Sequence, residues 1–338
     1  MYNIYCDSEQ EGYWFKSLIE DFAKTQIKKI EGRNKNPYFI EKYLRYDRPD
    51  VILTKNNTPV LVFEKTSEVP TGHNVGQRFG RIANSAEEKA MFIKFFPFDA
   101  RKHGKYSSLC NLNIRLLDAF FKMMEIHKVP ILAMNWPCDK NYELIRDGSE
   151  DNELRNLLEE LFEKDFDLNK VRSIKSIRRG MKREYNRRLK EFPNYGKPPR
   201  SVSIQNTEDI IKRLKTDFKI NDDDLPQIIF RREETLVYTN KMTPQHCRRE
   251  DPYIGTQFIY DYIWCRNGPK PDNKFRNLFL RSPLITKKRW LEANPFDRNR
   301  KSSTWYVTAD AIILKDAILT NFEIFEVKNQ TTKLSDFW

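Results

Sequence analysis

Arg48-Pro49-Asp50-Val51-Ile52-Leu53-Thr54 leads through Lys55-Asn56-Asn57-Thr58 into Val60-Leu61-Val62-Phe63-Glu64-Lys65-Thr66. Two apolar, β-branched runs flank a polar tetrapeptide, which predicts a β-hairpin with strands over 50–54 and 60–65. An Asp opens the first strand and a Glu closes the second. Adjacent strands lie about 4.8 Å apart, and side chains two residues apart share a face. The Asp and the Glu can therefore meet at one end of the hairpin. Together they offer hard oxygen ligands of the kind Mg²⁺ takes while keeping several waters.

The chain repeats this pattern near its other end. Thr308-Ala309-Asp310-Ala311-Ile312-Ile313-Leu314 is followed by a turn and by Phe322-Glu323-Ile324-Phe325-Glu326-Val327-Lys328. Strands are expected over about 305–314 and 320–328. Here a Lys follows the Glu by two residues and emerges on its face. Such a lysine can orient an attacking water and offset charge on a phosphoryl transition state, with the metal as Lewis acid. Asp310, Glu326 and Lys328 form the chemically complete set. Asp50 and Glu64 form the rival set, because Thr66 stands in the third position and Lys65 points to the opposite face.

Outward from the first hairpin, Trp14, Phe15, Leu18, Ile19 and Phe22 recur at helical spacing and predict a helix over 11–30. Residues 74–90 read as a helix, Met91 to Phe98 as a strand, 112–127 as a helix and Val129 to Trp136 as a buried strand stopped by Pro137. This order predicts an α/β (α+β) domain over 1–145, with a mixed central sheet flanked by helices. Residues 146–200 read as an acidic and then basic helical connector. Residues 201–338 read as a second α+β part, with an aromatic helix over 252–265.

The 338 residues carry a formal net charge of +12, and 39% are hydrophobic. That is enough for folded cores, and the charge points to a polyanionic partner, nucleic acid ahead of a membrane surface. No apolar run reaches the roughly 18 residues of a membrane-spanning helix. The start Met1-Tyr2-Asn3-Ile4-Tyr5-Cys6-Asp7 lacks a signal-peptide pattern. The five cysteines are scattered without a CxxC pair, so no zinc knuckle or disulfide framework is expected, and a reducing cytoplasm fits. Neither a phosphate-binding GxxxxGK[ST] loop nor an HExxH or GxSxG pattern is present.

The Pro-Asp, hairpin and Glu-x-Lys pattern resembles the PD-(D/E)XK nuclease superfamily, which includes many restriction endonucleases. The resemblance rests on windows 48–66 and 308–328 and on the order of elements around the first. It implies a restriction-endonuclease-like core, Mg²⁺ as cofactor and cleavage of double-stranded DNA, most simply by a sequence-specific type II restriction endonuclease acting as a homodimer. It also implies Asp310, Glu326, Asp50 and Glu64 as metal ligands. A further ligand from the first helix is sometimes present in the superfamily, and Glu20 is the candidate. The superfamily's lysine can migrate to a neighbouring helix, which makes Lys89, Arg78 and His73 possible substitutes. Ten residues follow Lys328, fewer than the helix and strand that finish this fold, so earlier segments would have to complete that sheet.

Two further segments point to nucleic acid. Thr71 to Arg78 offers His73, Gln77 and Arg78 for phosphate or base contact. Lys170 to Lys190 sets ten basic residues against Glu184 alone. Arg172, Lys175, Arg178, Arg179, Lys182, Arg183, Arg187 and Arg188 lie in it at helical spacing, suited to tracking phosphates. The alternative for this run is a solvated linker helix paired with the acidic helix before it. For the whole chain, the alternatives are a non-catalytic DNA-binding or assembly protein with a decayed nuclease core, and an RNA-processing nuclease.

Overall fold

The structure, a computed structural model, describes residues 1–32, 34–69, 72–102, 108–191, 201–246, 274–292 and 309–320; of 72–77 and 246 it describes the backbone only. The chain divides into two compact units, Met1–Tyr195 and Gly196–Trp338.

The first unit runs β1 (Tyr2–Cys6), α1 (Glu9–Lys16), β2 (Gln26–Lys29), α2 (Tyr38–Glu41), β3 (Val51–Lys55), β4 (Thr58–Lys65), α3 (Gly72–Glu87), β5 (Met91–Phe96), β6 (Asp99–Arg101), β7 (Leu109–Asn111), α4 (Ile114–His127), β8 (Ile131–Asn135), α5 (Asn152–Glu163) and α6 (Arg172–Glu191). Its main sheet has the order β2-β1-β3-β4-β5-β8. Pairings of β1 with β3 and of β3 with β4 are antiparallel, and the other three are parallel. This is the expected mixed sheet flanked by helices.

The hairpin forms where the sequence places it. Asn56 and Asn57 both take positive φ, 49° and 64°, as a two-residue I′ turn requires, and Asn tolerates that conformation better than most residues. Strands β5 and β8 are buried along almost their whole length. Each continues the sheet in parallel, with α3 and α4 as the crossover helices. The face opposite α3 holds an aromatic layer in which Trp14 stacks near Phe63 and Phe95, and Phe95 stacks on Trp136 at 5.2 Å.

The long first helix expected over 11–30 is not formed. Helix α1 ends at Lys16, a 3₁₀ turn spans Glu20–Lys24, and Gln26–Lys29 becomes β2, parallel to β1. The apolar spacing that predicted one helix instead serves two elements, since Phe15 and Phe22 are both buried and stack at 5.2 Å. Gly12 permits the close fit, because a Cβ there would lie 2.7 Å from Cys6 Sγ and 3.0 Å from Ile27 Cγ2. Helices α5 and α6, in the segment expected as a connector, belong to the first unit, where α6 packs on β8 and α4.

The second unit contains β9 (Ser201–Asn206), α7 (Thr207–Phe218), α8 (Gln227–Phe230), β10 (Glu234–Thr239), β11 (Asn277–Arg281), α9 (Lys287–Glu292), β12 (Ala311–Ile313) and β13 (Ile318–Thr320). Its sheet has the order β13-β12-β11-β10-β9, with β10, β11 and β12 parallel and both outer strands antiparallel. Asn206 caps α7 by accepting from the Glu208 and Asp209 amides. The aromatic stretch 252–265 lies outside the described residues. Among the described residues, no helix is long and apolar enough to cross a membrane.

Candidate functional site

Strand register assembles the site. Val51 pairs with Phe63 across β3 and β4, so the next step along the ladder sets Asp50 opposite Glu64. In the other direction Glu64 pairs with Lys94 of β5. Asp50, Glu64 and Lys94 therefore form a row across three strands, under α3. All three are buried, Glu64 completely.

Helix α3 lays two guanidinium groups over this row from positions one turn apart. Arg81 Nη1 donates to Asp50 Oδ1 at 2.7 Å and also to Glu64 Oε2, while its Nε donates to Asp47 Oδ2 at 2.8 Å. Arg78 Nη1 donates to Glu64 Oε1 at 2.9 Å, to Thr66 Oγ1 at 2.6 Å and to the Lys65 carbonyl at 3.1 Å. The second Asp50 oxygen accepts from the Lys65 amide at 2.7 Å. Arg78 is the more open of the two, with 30% of its side chain exposed against 9% for Arg81.

Burial and neighbouring charge set the protonation of the row. Asp50 is pushed up to about 8, first by burial and then by the charge of Glu64, against the pull of Arg81. Burial would also raise Glu64, but Arg81, Lys94 and Arg78 together outweigh it and hold its carboxyl below the usual range. Lys94 is pushed down to about 8 by burial, which the charge of Glu64 only partly offsets.

Lys65 leaves the row, as the alternation along β4 requires. Its Nζ sits 3.7 Å from the Trp14 ring centroid and 5.4 Å from that of Trp136, on the aromatic face. Of the expected lysine substitutes, Arg78 joins the site. Lys89 does not, since its Nζ donates to the His127 carbonyl at 2.9 Å. The side chains of His73 and Gln77 lie outside the described residues. Glu20 is exposed in the 3₁₀ turn. The acidic residue of this region that acts on Asp50 is Glu11.

The sequence reading missed Arg81 and Lys94, although both leave a signal. Lys94 interrupts the run Met91-Phe92-Ile93-Phe95-Phe96, and a cation inside a strand buried on both faces requires a carboxylate partner. Arg81 follows Arg78 by three residues in a helix whose next turn, Ile82 and Ala83, is apolar and buried.

In the second hairpin Asp310 Oδ2 accepts from Arg232 at 3.0 Å and from the Leu278 amide at 2.8 Å. Glu326 and Lys328 lie outside the described residues. The hairpins are inserted differently. Both strands of the first are interior, β3 antiparallel to β1 and β4 parallel to β5, whereas in the second β12, which follows Asp310, lies parallel to β11 and β13 is the outer strand among the described residues. The second hairpin is not a structural copy of the first.

The basic helix α6 separates into two faces. Lys175, Arg178, Arg179 and Lys182 are exposed, and Lys182 Nζ lies 4.5 Å from the Tyr185 ring centroid. Arg188 is 1% exposed and donates to both Asp99 oxygens, to the Phe98 and Leu112 carbonyls and to Glu184. Arg187 is tied to Glu184 and Glu191. Arg188 is thus a structural residue that pins α6 to the first unit, a correction to its expected place on the DNA-facing stripe. Among the described residues no close ion pair joins α5 to this basic run, although the charge of Arg183 acts on Glu153 of α5. Glu160 instead accepts from the Arg172 and Ser173 amides, capping the helix start.

Among the described residues, no group of three or more His, Cys, Asp or Glu side chains is placed to hold a metal ion. The row supplies two carboxylates converging on one point, and Mg²⁺ is held by one or two carboxylates with waters and substrate phosphate completing its shell. The donor chemistry fits that ion. The point of convergence, however, carries Arg81 Nη1. No family model, curated protein or solved structure matches the chain.

Proposed function

We propose that the chain is a Mg²⁺-dependent DNA endonuclease with a restriction-endonuclease-like core, most simply a sequence-specific type II enzyme, whose active site is the Asp50–Glu64 row of the first unit. One observation carries the reading. Two buried carboxylates on adjacent strands aim at a single point that already holds a positive charge. Asp50 and Glu64 would hold the ion there once Arg81 swings aside. Bound in that place, Mg²⁺ supplies Lewis acidity to a phosphodiester and lowers the pKa of an attacking water.

The chain's own residues do the rest. Arg78 stands beside Thr66, where the superfamily pattern has its lysine, and its partly exposed guanidinium suits a phosphate oxygen. Lys94 keeps Glu64 ionised from below. The exposed stripe Lys175, Arg178, Arg179 and Lys182 suits contact with the duplex backbone. Two copies of the chain would let one assembly reach both strands.

Arg81 favours a second reading, in which the guanidinium permanently replaces the metal and the core binds DNA without cutting it. Incubating plasmid and, in parallel, RNA with the protein and Mg²⁺ decides the matter. The nuclease reading expects discrete DNA fragments, abolished by EDTA and by Glu64→Gln but retained in Asp310→Asn. Intact DNA under all conditions, with binding preserved in a gel shift, supports the second reading. Cleavage of RNA alone reassigns the substrate.

A further inference from the structure

The second unit holds a cavity of about 370 Å³ at the carboxyl ends of parallel strands β11 and β12, under α7. Its size lies in the range of small-molecule sites, and the carboxyl ends of parallel strands are where open α/β sheets place ligands. The floor is apolar, formed by Ile210, Leu214, Val237 and Ile313, all members of the buried core of this unit.

Three cations stand around this floor. Arg281 ends β11, Lys315 follows β12, and Arg213 comes from α7. None of the three forms an ion pair among the described residues; Arg213 donates to the neutral Gln205 amide oxygen, and Arg281 and Lys315 have no side-chain partner there. Three unpaired cations at the mouth of an apolar recess call for a ligand with an anionic end and an apolar body.

The remaining wall selects among such ligands. Phe218 offers a ring edge or face, and the exposed Asp217 carboxylate, which has no partner among the described residues, offers an acceptor; the Gln205 amide is already bonded to Arg213 and Ser203. An ionised fatty acid carries no hydrogen-bond donor for the Asp217 carboxylate. A nucleobase can donate an edge N–H to Asp217 and cover Phe218 with its plane. We propose that this cavity binds a single nucleotide, its base against Phe218 and the apolar floor and its phosphate between Arg281, Lys315 and Arg213. The nucleotide arrives either free or as one unit of a nucleic-acid strand.

The site is separate from the Asp50–Glu64 row and stands whether or not that row cleaves DNA. Calorimetric titration of the full chain tests it, using the four 2′-deoxynucleoside 5′-monophosphates, a short single-stranded oligonucleotide, inorganic phosphate and decanoate. The expected result is saturable nucleotide binding, weakened about tenfold or more in Arg281→Ala and in Lys315→Ala, and unchanged in Glu64→Gln. Both alanine sites are exposed, so the melting temperature of each variant should match that of the parent. Binding of free monophosphates identifies a mononucleotide ligand, and binding of the oligonucleotide alone, with the same loss in the variants, identifies a strand-borne one. The proposal is overturned by an absence of nucleotide binding, by binding that survives both substitutions, or by phosphate or decanoate binding as tightly as any nucleotide.

Discussion

Asp50 and Glu64 direct one oxygen each to the same atom, Arg81 Nη1. A buried carboxylate pair of this kind requires a cation, and here the fold supplies its own. Removing it exposes the choice between a metal site and a closed ion-pair cluster. Arg81→Ala leaves Glu64, and above about pH 8 Asp50 as well, buried and undercompensated, which should cost about 3–5 kcal/mol in metal-free buffer at that pH. If the row is a metal site, millimolar Mg²⁺ or Mn²⁺ should recover a large part of that loss in a thermal melt and should bind the variant more tightly than the parent in calorimetry. No metal-dependent rise in melting temperature would count against the metal site.

The same row should give the protein an unusual dependence of stability on pH. Asp50 titrates near 8 in the fold against an ordinary value of 3.8. A proton held by the folded state contributes stability that is complete below the ordinary value and is lost as pH rises through about 8. Lys94, lowered from 10.5 to about 8, acts in the opposite window, with its contribution complete above 10.5 and lost as pH falls through about 8. Glu64, held low by its cations, matters only in acid. Stability measured with EDTA should therefore fall from pH 5 toward a minimum near pH 8 and recover above it, an effect on the order of a few kcal/mol. Asp50→Asn should flatten the fall below pH 8, and an equally steep fall in that variant would remove Asp50 as its source.

How much of this was legible in the sequence follows from which interactions are local. The β3–β4 hairpin was readable because its register is fixed within a few residues, by Asn56-Asn57 and by alternation on both arms. Asp50 facing Glu64 follows from that register. Arg81 and Lys94 reach the same point through α3 and β5, and that depends on the strand order of the whole sheet. The missed strand β1 shows the same limit, since Tyr2–Cys6 is a strand because it fits between β2 and β3. The first helix was overextended because apolar spacing records burial rather than the element that achieves it. The second hairpin shared the motif's letters, but its place in the sheet is set by β11, which no short window contains.

Helix α6 gives a prediction in which neighbouring arginines behave differently. Lys175, Arg178 and Lys182 lie on one exposed stripe, whereas Arg188 is buried against Asp99 and two backbone carbonyls. Alanine at any stripe position should leave the melting temperature within about 2 °C, because exposed charges contribute little to stability. It should lower DNA affinity and reduce the slope of log affinity against log salt by about one for each lost phosphate contact. Arg188→Ala should instead destabilise the first unit by about 3 kcal/mol or more, since Asp99 and the Phe98 and Leu112 carbonyls lose a shared donor. An Arg188→Ala protein that melts like the parent but binds DNA with a shallower salt slope would move Arg188 back to the interface. Stripe variants with unchanged salt slopes would show that the duplex lies on another face.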